Sequence, residues 1–200
     1  ITGRDKKTGS GIAKAQKAYK CANVTQLFET ADYVTSGDND AEIVSRLKAI
    51  VGAEEPISEK FLIRRTLSTL GILKFGNKVE NRMLALIPLC GFKREKMLGE
   101  FYYRKTDKPV TFDKYRVETG EKAVRRYETD FTPYEIIALI KAALEDKVAL
   151  YTEEIASVAC VALRLPKVTD KFAAYINDCV TLGEERGLFV RSVSDRISLA

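Results

Sequence analysis

The chain has 200 residues, 46% hydrophobic and 30% charged, with a formal net charge of +5, an ordinary make-up for a protein of one large or two small domains. No apolar run approaches the roughly 20 residues a membrane-spanning helix needs. Histidine is absent altogether, which removes the commonest general base and zinc ligand, every His-containing triad and the H-E-x-x-H pattern.

The four cysteines, Cys21, Cys90, Cys160 and Cys179, form no C-x-x-C pair, so no metal or other cofactor is expected. Cys160 and Cys179 fall on apolar helical faces and read as reduced core thiols, as in a cytoplasmic protein. The chain opens at Ile1 without an initiator Met or a signal-peptide pattern, and is expected to be an excised piece of a longer protein. No membrane partner and no small-molecule substrate are expected.

Residues 1–20 carry six bases and one acid, and residues 21–40 carry four acids and no base. Thr2–Gly11, rich in Gly, Thr and Lys, predicts a loop. Residues 12–31 have mixed helical character, and 1–40 as a whole reads as a partly helical, basic N-terminal extension. Ser36-Gly37-Asp38-Asn39-Asp40 is a linker in which Asn39 or Asp40 is placed to cap the next helix.

Residues 41–105 carry thirteen bases against seven acids. A helix is predicted over 41–52 with Ile43, Leu47 and Ile50 on one face. Pro56-Ile57 is a short extended piece. A second helix is capped by Ser58 and stops at Gly71, and a third spans 78–89 with Val79, Met83, Leu86 and Ile87 inward. Phe92, Leu98, Phe101 and Tyr103 around Gly99 predict a hairpin. Residues 106–130 read as a polar connector with aromatic anchors Phe112, Tyr115 and Tyr127. The pattern then returns over 131–200. Thr132 caps a helix with Pro133 at its first position, Thr152 caps a second helix that ends by Leu163–Pro166, and a long third helix runs to about Arg186. Leu188-Phe189-Val190 and Arg196–Leu199 form two arms of another hairpin.

The return is an internal repeat. Shifted by 93 or 94 positions, Ile43, Val44, Leu47 and Val51 land on Ile136, Ile137, Ile140 and Leu144. Ser58, Glu59 and Phe61 land on Thr152, Glu153 and Ile155, and Val79, Met83, Leu86 and Ile87 land on Phe172, Ile176, Cys179 and Val180. So long a period points to tandem domains rather than a solenoid. The expected fold is mostly α, of the α+β winged-helix kind: two tandem winged helix-turn-helix domains at 41–105 and 131–200, joined by 106–130.

Residues 54–79 carry Glu55-Pro56-Ile57, Leu62, Arg64-Arg65, Gly71, Lys74, Gly76 and Val79. This string resembles a bacterial domain of unknown function found near the C-terminus of very large proteins related to superfamily 1 DNA helicases. That family reads roughly E-x-P-[IV]-H, R-R, G and [KR]-x-G-x-x-[IV]. The resemblance covers 41–103 best and extends over 125–199 through Arg125-Arg126 and Thr132-Pro133-Tyr134-Glu135-Ile136. Ser58 stands where the family often has His. The resemblance implies a parent with a helicase-type ATPase and, as a further option, nuclease modules; neither is visible in this chain.

Enzyme chemistry is weakly represented. There is no G-x-x-x-x-G-K-[ST] phosphate loop. Gly9-Ser10-Gly11 reads as a flexible terminus rather than a phosphate cradle. Glu145-Asp146-Lys147, which matches E-x-K, reads as a solvated helix end. Glu54-Glu55 and Glu184-Glu185 read as surface charge, since adjacent helical residues do not face one another. Of Arg64 and Arg65, at most one is expected to bridge to the first helix.

The constellation that stands out is basic. In a helix-turn-helix the third helix enters the major groove. Burying Val79, Met83 and Leu86 turns Asn77, Lys78, Asn81 and Arg82 outward, where Asn can read adenine and Arg guanine. Lys93, Arg94 and Lys96 sit on the hairpin, placed for phosphate. The equivalent surface of the second repeat, Thr169, Asp170, Ala173, Ala174, Asn177 and Asp178, is small or acidic, and Lys167 and Lys171 there are expected to matter less. The expected function is a non-catalytic accessory module of a helicase-related protein, not an enzyme. It would bind DNA through the first winged helix and contact other domains of its parent. The alternative is a protein-interaction scaffold that positions the parent's catalytic domains.

Overall fold

The structure, a computed structural model, describes residues 10–107, 109–118 and 124–200. In chain order the helices are α1 (Gly11–Ala15), α2 (Ala31–Thr35), α3 (Asp40–Glu54), α4 (Glu59–Thr69), α5 (Asn77–Leu86), α6 (Pro133–Lys147), α7 (Thr152–Ala162) and α8 (Asp170–Glu185). Short 3₁₀ turns lie at Ile87–Cys90 and Glu128–Asp130. The strands are β1 (Gln16–Tyr19), β2 (Ile57–Ser58), β3 (Lys93–Met97), β4 (Glu100–Arg104), β5 (Tyr115–Glu118), β6 (Ala149–Leu150), β7 (Phe189–Arg191) and β8 (Ile197–Leu199). They form three small sheets ordered β1-β5, β2-β4-β3 and β6-β8-β7. The fold is α+β. Among the described residues, no helix is long and apolar enough to cross a membrane.

Two compact units result. A central unit comprises Lys20–Pro109, and a split unit joins the described residues up to Tyr19 with Val110–Ala200. This division differs from the separate extension and connector expected from composition, and hydrogen bonding explains why. β1 pairs in parallel with β5, from Gln16 opposite Tyr115 to Tyr19 opposite Glu118, and α1 packs on α6. Extension and connector thereby join the body of the second repeat. Residues beyond Tyr19 instead lie along α4, where the amides of Leu27 and Glu29 donate to the carbonyls of Thr69 and Leu70 at 2.8 Å. Of the loop expected over Thr2–Gly11, the part before Ser10 lies outside the described residues. Ser10 caps α1, its hydroxyl accepting the Ala13 amide at 3.4 Å. Of the connector's aromatic residues, Tyr115 is fully buried and Phe112 stacks on Tyr134 at 5.2 Å, but Tyr127 is 47% exposed.

Each unit contains helix, strand, helix, helix, strand, strand in that order. One offset of 93 relates the helix starts: Asp40 to Pro133, Glu59 to Thr152 and Asn77 to Asp170. The expected 94-residue step at Ser58 is therefore corrected. Leu62, Thr66 and Leu67 correspond to Ile155, Ala159 and Cys160, all buried. Ser58 caps α4 as expected, accepting the Phe61 amide at 3.3 Å. Its counterpart is Tyr151, not Thr152, and there the Glu154 carboxylate accepts the Tyr151 amide at 2.8 Å. Thr132 does cap α6, with Pro133 at its first position. Asn39 holds the cap position of α3 without bonding to it, because its side-chain amide donates to the Tyr33 carbonyl at 3.0 Å. The predicted 78–89 helix stops at Leu86 and continues as a 3₁₀ turn, since Pro88 has no amide to continue the α-helical ladder. The β3–β4 hairpin turns on Leu98 and Gly99, both at positive φ (48° and 82°), as a two-residue primed turn requires.

The equivalent helices α3 and α6 differ in what covers them. In α3, Ile43, Leu47, Ile50 and Val51 are buried while Glu42, Ser45 and Ala49 are exposed. At the matching positions of α6, Glu135, Ala138 and Ala142 are all buried. α1 lies so close that a Cβ on Gly11 would stand 2.8 Å from the Ala142 carbonyl. A helix apolar all round is one buried all round.

Glu135 is the charged member of that interior. Arg116 grips both its oxygens at 2.9 Å, Arg126 donates to them at 2.8 and 2.9 Å, and the Thr132 amide adds a bond at 3.0 Å. The Arg126 guanidinium lies over the rings of Tyr19 and Phe131, 4.5 and 4.0 Å from their centroids. Burial alone would raise the Glu135 pKa, but the two guanidiniums outweigh it and hold the carboxyl far below its ordinary value of 4.5.

The central unit has its own buried carboxylate. Glu54, expected on the surface, is 1% exposed, and it accepts the Ala22 amide at 2.9 Å and Arg65 Nε at 3.1 Å. Arg65, rather than Arg64, is thus the bridge to the first helix of the repeat.

Two predictions follow from this packing. Gly183 of α8 faces Phe189 so closely that a Cβ would meet the ring at 2.2 Å. Gly183→Ala should gain about 1 kcal/mol of helix propensity and lose more than that, up to about 3 kcal/mol, to overpacking. A net fall in Tm is expected. Glu135→Gln leaves the buried Arg126 and the partly buried Arg116 without their shared counter-charge and should cost about 3–5 kcal/mol in urea denaturation. Because the folded pKa is depressed, the Glu135 contribution is complete above pH 4.5 and is lost as pH falls below it. The variant's stability should therefore fall less steeply with acid over that range.

Candidate nucleic-acid interface

α5 opens the candidate surface. Val79, Met83 and Leu86 are buried against the central unit's core, and Asn77, Lys78 and Asn81 are exposed. The spacing of 77, 78 and 81 puts them on neighbouring rows of the first turn and a half. Lys74 is also exposed, in the turn that leads into α5, and was not among the sequence-based candidates. Its signal was the four-residue step from Lys74 to Lys78.

Arg82 does not join them. It turns back onto Asp40 at the start of α3 and forms an ion pair in which each side chain is 33% exposed. Arg82 Nε and Asp40 Oδ1 are buried and find no hydrogen-bond partner. The expected base-reading arginine is committed to bracing α5 against α3. The same pairing explains why Asp40 does not cap its own helix.

The hairpin carries the remaining candidates. Alternation in β3 sends Met97 inward beside Tyr102, which faces Glu95, and sends Arg94 and Lys96 to the opposite face. There both cations lie against Phe101, 4.3 and 5.7 Å from its ring centroid. Lys93 points the other way and pairs with Asp107 at 3.1 Å, both largely exposed. Tyr103, opposite Arg94, is buried and donates to Glu59. Burial first, and then Glu59, push its phenol well above the ordinary range. The structure therefore gathers Asn77, Lys78 and Asn81 on one helix end and Arg94 and Lys96 on one ring.

The weaker chemical motifs have structural roles. Asp146, within the E-x-K match, accepts the Gly11 amide at 2.7 Å, and this bond lowers its pKa. That leaves the Gly11 amide no room for a phosphate; Gly9 lies outside the described residues. Cys160 and Cys179 are buried free thiols, pushed up by desolvation. Burial likewise pushes Cys90 up to about 11, so these three stay protonated and unreactive at neutral pH. Among the described residues no cluster of His, Cys, Asp or Glu suits a metal ion.

Comparison with protein-family models, curated proteins and solved structures finds no match to this chain.

The placement of Arg82 is testable. Arg82→Ala should cost about 1–2 kcal/mol, the worth of a charged hydrogen bond reduced for partial exposure, as a lowered Tm. Affinity for duplex DNA, measured well below that Tm, should stay within about twofold. Loss of binding at particular sequences with no loss of stability would instead make Arg82 a base reader.

Proposed function

We propose that each repeat is a winged helix and that the chain is a non-catalytic accessory module of a helicase-related protein. The central unit binds DNA, with α5 directed at the major groove and the β3–β4 hairpin against phosphate. The observation that carries this reading is the outward set Lys74, Asn77, Lys78 and Asn81 on and before α5, in a unit whose hairpin presents Arg94 and Lys96. Third-helix residues reach base edges, and cations flanking them neutralise phosphate. The element order in both units supports the winged-helix assignment, with the third strand of each repeat lying in the middle of its sheet. The helicase-related parent rests on the string from Glu55 to Val79.

A scaffold role is the second reading, and one observation favours it. Phe28 and Leu73 are 88% and 77% exposed, and Phe28 lies beside Gly71 in the same unit. Exposed apolar groups of that size suit contact with another domain.

The test is fluorescence anisotropy of a labelled duplex with the full chain at rising salt. Affinity should fall with a log–log slope of about −0.9 per phosphate neutralised. Lys78→Glu and the pair Arg94→Glu with Lys96→Glu should weaken binding to all sequences alike. Asn81→Ala should act only at sites with the matching base, by about 1–3 kcal/mol. No binding at low salt would favour the scaffold reading.

A further inference from the structure

In the split unit, the turn between α7 and α8 and the residues preceding α6 enclose a cleft of about 740 Å³, within the size range of ligand pockets. Its described walls carry Arg125, Arg126, Arg164, Lys167 and Lys171 against only Glu118 and Glu128. Both acids are engaged internally. Glu128 accepts the Thr169 hydroxyl at 2.7 Å, and Glu118 faces Arg126 at 3.7 Å. Arg126 itself is held by Glu135. The other four cations are exposed. The cleft's lining is apolar at Leu163, Leu165 and Pro166, with the half-exposed ring of Tyr127 beside them, the Arg125 guanidinium 5.3 Å from its centroid.

The repeat gives this cleft a meaning. At the 93-residue offset Lys167 and Lys171 are the counterparts of Lys74 and Lys78, the cations that lead into the third helix of the central unit. Arg164 is the counterpart of Gly71. Both residues take the left-handed conformation, at φ +56° and +76°. Glycine adopts that conformation freely, whereas a residue with a side chain is strained there. The second repeat thus accepts strain at the position where a third guanidinium, Arg164, joins Arg125 and Arg126 in the cleft wall and donates to the Glu118 carbonyl at 3.2 Å. Neither Asp170 nor Asp178, which made this surface look acidic, lines the cleft, and Asp170 stands one residue before Lys171 and so about 100° away around the helix.

We propose that this cleft binds a single-stranded stretch of nucleic acid. Lys167, Lys171 and Arg164 take successive phosphates, and an unpaired base lies against Tyr127 and the apolar lining. The proposal rests on the reading that the chain binds nucleic acid and adds a second, differently shaped contact to it. A concave, partly apolar site suits an unstacked base with its phosphates, whereas a duplex hides its base faces. An acidic peptide would use the cations but has no flat ring system to set against Tyr127.

The test uses the full chain with a labelled oligo-dT of about 12 nucleotides, within the range one such site occupies, beside a duplex of equal length. Lys167→Glu with Lys171→Glu should weaken oligo-dT binding by about tenfold or more and flatten its salt dependence by about 0.7 per lost phosphate contact. Duplex affinity should change by less than about threefold. Arg164→Gly should raise Tm, by relieving the left-handed strain, while weakening oligo-dT binding; a merely structural arginine would not show that opposition. Tyr127→Ala should weaken oligo-dT and leave competition by poly-glutamate unchanged. Oligo-dT binding that ignores these changes but is lost with Lys78→Glu would overturn the cleft and leave the proposed DNA contact standing. Equal competition by poly-glutamate, insensitive to Tyr127, would reduce the site to a general polyanion surface. Binding of neither oligonucleotide at low salt would overturn both readings.

Discussion

A buried carboxylate, gripped by two guanidiniums, organises the split unit. Glu135 sits in the first turn of α6, Arg116 comes from β5, and Arg126 comes from the segment before α6. An ion buried alone would cost several kcal/mol, and only good geometry with further hydrogen bonds offsets that cost. Here the carboxylate receives bonds from both arginines and Thr132, and the Arg126 guanidinium lies against the rings of both Tyr19 and Phe131. Three stretches of chain that share no helix or hairpin are thus fixed by one charge. Glu54 does similar work in the central unit, holding Ala22 and Arg65 together. Arg46 adds bonds to the carbonyls of Thr25 and Thr69 at 2.8 and 3.3 Å. In both units buried ions thus help attach the residues outside the helical repeat, alongside apolar contacts such as those of Tyr115, Val117 and Phe131 with the core.

That division explains what the sequence revealed. The six helices of the two repeats, their order and the caps at Ser58 and Thr132 were legible because apolar spacing and cap residues are local signals. The repeat was legible for the same reason, though a slip of one residue at Ser58 arose from matching Ser to Thr by type. The structure aligns Ser58 with Tyr151, whose amide is satisfied from Glu154 instead. The roles of residues 10–30 and 110–131 were not legible, since a parallel pair such as β1–β5 joins positions about a hundred residues apart. One signal did exist. Tyr134 to Leu144 is apolar on every face apart from Glu135 and Lys141, and such a helix needs cover that the second repeat alone does not supply.

The candidate site divides in the same way. Exposure of Asn77, Lys78 and Asn81 follows from the burial of Val79, Met83 and Leu86 and needed only helical periodicity. Arg82 misled because its partner Asp40 lies 42 positions away and helical phase says nothing about such a partner. Lys93 and Arg94 are neighbours in sequence, yet strand alternation sends them to opposite faces. Only Arg94 and Lys96 share the Phe101 ring.

Residue type separates the structural cations from the available ones. Every buried cation among the described residues is an arginine: Arg46, Arg65 and Arg126. A guanidinium is weakly hydrated and presents a planar fork, so it tolerates burial and can satisfy a carboxylate and carbonyls at once. Among the cations that recur at one offset, Lys74 and Lys78 with Lys167 and Lys171 are lysines exposed in both repeats. An ammonium is a strongly hydrated point charge, costly to bury and well suited to meeting a phosphate in water. The net charge of +5 therefore does not describe a uniformly basic surface. Several arginines serve internal carboxylates, whereas the turns that lead into α5 and α8 each keep two exposed lysines for a polyanion, as the β3–β4 hairpin keeps Arg94 and Lys96.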